Sequence, residues 1–145
     1  MRRKTTAGAV AVILLLTALF GCGARNDTAM DLSANDIINV LGDDYDTMKR
    51  SIGNDISDND AKRAKSYRYT RSIMGADTDF SLTMDDNDKV EKIIVYTDEK
   101  GLKTWKDELG LKYGVPAADT WRDGDTKVRV SDVGDTKMIF IEKNV

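Results

Sequence analysis

The 145-residue chain contains a single cysteine, Cys22, and it falls at the end of the only long apolar run. Everything after it must therefore fold without an internal disulfide. A body of about 115 residues is long enough to bury one core and too short for two ordinary domains. Packing has to hold it together. The chain also has no histidine, which removes the commonest general base and most transition-metal ligand sets.

Arg2, Arg3 and Lys4 precede an uncharged stretch from Ala7 to Phe20. As a helix this stretch would rise about 21 Å, short of the roughly 30 Å hydrocarbon core of a bilayer. That length suits the apolar region of a signal peptide better than a permanent span. Leu19-Phe20-Gly21-Cys22 resembles the lipobox of bacterial lipoproteins. The resemblance implies cleavage between Gly21 and Cys22, lipid on the Cys22 sulfur with acyl chains such as palmitate, and attachment to the extracytoplasmic face of a membrane. Two acyl chains anchor stably where one is marginal, at about 0.8 kcal/mol per buried methylene. An ordinary secretory signal, or a twin-arginine signal built on Arg2-Arg3, are the other readings of the segment. The expected organisation is a signal peptide over 1–21, a lipidated N-terminus and short flexible tether over 22–30, and one domain over 31–145.

Without residues 1–21 the chain carries 19 basic residues against 25 acidic ones. Such a balance, with no basic stripe visible along the sequence, argues against nucleic-acid binding. Twenty-one of the acids are Asp, many clustered, as at Asp43-Asp44, Asp58-Asn59-Asp60, Asp85-Asp86-Asn87-Asp88 and Asp123-Gly124-Asp125. Asp competes with regular structure for local hydrogen bonds, so these clusters mostly mark turns.

Ser33-Ala34-Asn35-Asp36 has the pattern of a capped helix start, followed by Ile37, Ile38 and Leu41 on one face and a stop at Gly42. Tyr45, Met48 and Ile52 predict a second short helix ending near Gly53. Strands are expected over Ser66–Arg71, over Phe80–Met84 with strict alternation, and over Lys89–Tyr96. The Ile93-Ile94-Val95 core of the last predicts a central strand covered on both sides. Leu102, Trp105, Leu109 and Tyr113 mark a helix from about Gly101, ended by Gly114-Val115-Pro116. Three short strands follow, at Thr120–Arg122, Lys127–Val130 and Lys137–Ile141, with glycine turns between them. The fold class is therefore α+β, an antiparallel sheet with helices on one face in the order ααβββ-αβββ. The halves share a pattern, Leu41-Gly42 answering Tyr113-Gly114 and Asp88-Lys89-Val90 answering Asp135-Thr136-Lys137. A degenerate tandem repeat and a single irregular domain are both open.

In layout alone the body resembles the small helix-helix-strand-strand-strand modules of the SmpA/OmlA and β-lactamase-inhibitor-protein type. That resemblance implies helices on one face of a sheet and a binding or assembly role. No Gly-x-Ser-x-Gly or Ser-x-x-Lys motif occurs in the body, and the one thiol is assigned to lipid, so no catalytic constellation emerges. Asp55, Asp58 and Asp60, or Asp85, Asp86 and Asp88, offer hard oxygens to calcium but lack the glycine and glutamate of an EF-hand loop. A solvated turn is the simpler reading, and neither a metal nor a cofactor is expected. Trp105 is expected in the core. Tyr67 and Tyr69 share a strand face and, with Trp121, are the candidates for a ligand or partner surface if that face is exposed. The functional expectation is a non-catalytic module held to the membrane through Cys22 and binding a protein or envelope component through its sheet. A solute- or ion-binding accessory lipoprotein, or a small carboxylate-dependent hydrolase, are the alternatives.

Overall fold

The computed structural model describes residues 30–54 and 63–144. Cys22 and Gly21, with the segment before them, and Asp55, Asp58 and Asp60 lie outside the described residues. The Ser33 hydroxyl accepts the Asp36 amide, and the Asp36 carboxylate in turn accepts the Ser33 amide, closing a capping box that starts α1 (Ala34–Asn39). Asp44 caps α2 (Tyr45–Ile52) through the Thr47 amide. Strands β1 (Ser66–Ile73), β2 (Ala76–Met84) and β3 (Val90–Thr97) follow as a meander. Asp98 caps α3 (Glu99–Tyr113), and a second meander is formed by β4 (Thr120–Asp123), β5 (Thr126–Val133) and β6 (Thr136–Lys143).

The six strands form one antiparallel sheet in the order β1-β2-β3-β6-β5-β4. This α+β architecture follows the expected element order, with α3 starting two residues before Gly101. The strand order reads the same from either edge, because the two meanders join through their third strands. Exchanging the halves carries Tyr69 onto Trp121, Phe80 onto Val128 and Ile93 onto Ile139. The glycine that answers Gly114 is Gly53, not Gly42. Both close their helices with nearly the same dihedral angles, φ 87° and ψ −168° against φ 79° and ψ −153°.

Among the described residues, α1, α2 and α3 pack on one face. Ile37, Met48, Trp105 and Leu109 from the helices meet Tyr69, Phe80, Leu82, Ile93, Val95, Ile139 and Ile141 from the strands in a single core. The strand residues of that set alternate along their chains, as one-sided burial requires. Leu32 lies beside the outer edge of β1, its amide donating to Ser72 and its carbonyl accepting from Met74, which covers part of that edge. Among the described residues no helix is long and apolar enough to cross a membrane.

Candidate functional site

The residues between the core positions point to the other side of the sheet. There the registers assemble rows that no single strand contains. Across the middle run Arg68, Ser81, Ile94, Phe140, Arg129 and Thr120, from β1 to β4. On one side of this row lie Thr70, Asp79, Tyr96, Met138 and Ser131. On the other lie Thr83, Lys92, Glu142, Lys127 and Arg122.

The centre of this open face is apolar. Ile94, Met138 and Phe140 are half-buried and Tyr96 is 38% exposed. Ile94 therefore departs from the expectation that β3 is covered on both sides: the core beneath the helices takes Ile93 and Val95, while Ile94 on the other face is only half-buried. An apolar triplet reads alike whether its second face meets a layer or stands open.

The rim is charged and uneven. Lys127 pairs with Glu142 at 2.6 Å, and the Arg129 guanidinium lies 4.3 Å from the Phe140 ring centroid, with Lys92 at 5.5 Å. The Glu142 carboxyl is held below its ordinary range, chiefly by the Lys127 hydrogen bond and also by the charges of Lys127, Lys92 and Arg129. Arg122 donates to the Asn144 side chain at 3.2 Å. Toward β1 the charge is mixed, with Asp79 accepting from Thr70 at 2.7 Å beside a shallow depression of about 430 Å³ lined by Arg68, Ser81 and Tyr96 among others.

The aromatic candidates lie elsewhere. Tyr67, Tyr69 and Trp121 are 8%, 1% and 4% exposed, all on the helix side, so they build the core and not a partner surface. Tyr67 meets the Tyr45 ring at 4.9 Å, and Tyr69 stacks on Phe80 at 5.1 Å. The Trp121 indole donates to the Gly114 carbonyl at 3.0 Å, so this large side chain is buried with its one polar group satisfied. Alternation placed Tyr67 and Tyr69 on one face; only the helices decide which face that is.

The acidic turn at Asp85 also has a local explanation. Its carboxylate accepts the Asn87 and Lys89 amides, both at 2.9 Å, and Asp88 pairs with Lys65 at 3.2 Å. Among the described residues no group of three His, Cys, Asp or Glu side chains converges to hold a metal.

Sequence reading missed the basic cluster of Lys92, Arg122, Lys127 and Arg129. These residues come from three strands and look dispersed along an acidic chain. The available signal was period-two spacing in Lys92-x-Ile94-x-Tyr96, Lys127-x-Arg129 and Met138-x-Phe140-x-Glu142, which only cross-strand register turns into a patch. No family model, no curated protein and no solved structure matches the chain.

Proposed function

We propose that the protein is a lipid-anchored lipoprotein on the extracytoplasmic face of a membrane, whose body is a non-catalytic interaction module. The anchor is read from Leu19-Phe20-Gly21-Cys22. The binding role rests on one observation: a six-stranded sheet presents an apolar centre of Ile94, Tyr96, Met138 and Phe140, flanked by charged side chains and only partly buried. Apolar centres with polar rims are the usual anatomy of protein interfaces. The partner is a protein or another envelope component, and the tether over 22–30 lets the domain reach it.

Metabolic labelling with a radioactive fatty acid tests the anchor. Label should appear on the wild type and vanish with Cys22→Ser, which should also release the protein from membranes; an unlabelled wild type contradicts the anchor. The binding role is tested by a photoreactive amino acid at Tyr96, with Leu111 on the outer side of α3 as control. A discrete adduct from the Tyr96 position alone is expected, and equal yields from both positions contradict docking on the sheet.

A further inference from the structure

We infer that the partner segment received by the open face is acidic where it meets β4, β5 and β6, with an apolar side chain seated on Ile94, Tyr96, Met138 and Phe140. This rests on the reading of that face as the docking surface and specifies its chemistry.

The charge distribution carries the inference. The chain after residue 21 has six more acids than bases, yet this part of the sheet brings Lys92, Arg122, Lys127 and Arg129 together, with the Glu142 carboxylate paired to Lys127. Four like charges on neighbouring strands repel one another, and Glu142 offsets only part of that. An acidic partner would offset the rest. Arg129 is suited to receive a carboxylate: its guanidinium is held 4.3 Å from the Phe140 ring centroid, and the forked donors of a guanidinium match a carboxylate in pairs.

An anionic lipid surface would satisfy the same cations, and two observations favour a protein segment instead. Ile94, Met138 and Phe140 are half-buried and lie within the face, so they offer no projecting wedge to an acyl layer. The face is also mixed in sign toward its β1 edge, with Asp77 and Asp79 exposed on β2 beside Arg68 on β1. A uniformly anionic plane would meet those carboxylates unfavourably, whereas a peptide can be acidic at one end and not at the other. Complementary charge of this kind sets orientation and partner choice.

The test is selection of displayed random peptides on the full-length lipidated protein in neutral detergent, with glycerophosphoglycerol, the water-soluble headgroup of phosphatidylglycerol, titrated in a separate arm. Recovered peptides should be rich in Asp and Glu around an aromatic or aliphatic residue. Their binding should weaken about tenfold in Arg129→Glu and again with salt. Arg122→Glu, at an exposed edge position, provides a second charge reversal, and thermal melts check that both variants fold. Neutral or basic binders lost in Tyr96→Ala would overturn the acidic segment and leave the docking face standing. Headgroup binding abolished by the same charge reversals, without acidic peptides, would assign the cations to lipid and overturn it too. Binders indifferent to every open-face variant, or no binders at all, count against the acidic segment; joined to equal cross-linking from Tyr96 and Leu111, they count against the docking face as well.

Discussion

Ile94 on β3 and Phe140 on β6 stand directly opposite each other on the open face, and each takes the other's place when the two halves of the sheet are exchanged. The backbone around them is thus arranged nearly alike on both sides. The charges are not. Asp79 corresponds to Lys127, Ser81 to Arg129 and Thr70 to Arg122. A symmetric scaffold with an asymmetric surface has a direction, and that direction is what a single oriented partner segment can read.

The two faces should respond differently to truncation. Trp105→Ala, on the buried face of α3, should cost about 3–5 kcal/mol. Phe140→Ala removes a half-buried ring and its cation contacts and should cost about 1–2 kcal/mol. Urea titration measures both. Equal losses would mean that the open face is packed as tightly as the core.

Gly114→Ala isolates backbone strain. Its φ of 79° and ψ of −153° lie in a region that side-chain-bearing residues avoid, and no neighbouring atom lies within 4 Å of an added Cβ. A loss of about 1–3 kcal/mol is expected from conformation alone. Gly53→Ala should cost at least as much, because its Cβ would also lie 3.0 Å from the Arg71 guanidinium, which donates to the Ile52 carbonyl at 2.9 Å. Thermal unfolding of the two variants checks the order.

Acid should weaken the fold through several carboxylates. Asp31 and Asp85 are lowered mainly by the backbone amides of Gly75 and Lys89, Asp44 by that of Thr47, and Glu142 by Lys127. A lowered folded-state value stabilises above the ordinary range and is lost as pH falls through it. Stability should therefore decline from about the ordinary values of 3.8 and 4.5 downward. Glu142→Gln should be less stable than wild type at neutral pH and converge on it in acid. Asp43 has the opposite sign, raised first by burial and then by Asp44. Asp43→Asn should stabilise at neutral pH and lose that advantage in acid, measured as urea midpoints against pH.

Local signals told most of the fold. The Ser33–Asp36 cap, the stop at Gly53 and the alternation of Phe80, Leu82 and Met84 each depend on neighbours in sequence, and each stands where expected. The start of α3 was less legible, because Glu99 and Lys100 are exposed and the apolar period begins only at Leu102. The candidate surface was hidden for a different reason. Tyr67 and Tyr69 drew notice as aromatics, yet burial under α2 assigns them to the core; Lys92, Lys127 and Arg129 become neighbours only through pairing across β3, β6 and β5. Face and register are properties of the assembled sheet.

Hydroxyl-radical footprinting of the open face, in intact cells and on the purified full-length protein, decides whether this face is a docking surface. Tyr96, Met138 and Phe140 carry readily oxidised side chains, while Leu111, 83% exposed on α3, reports solvent access away from the sheet. The three open-face residues should be protected in cells and react in the purified protein, with Leu111 unchanged. Equal oxidation of Tyr96, Met138 and Phe140 in both settings would contradict a docking role for this face.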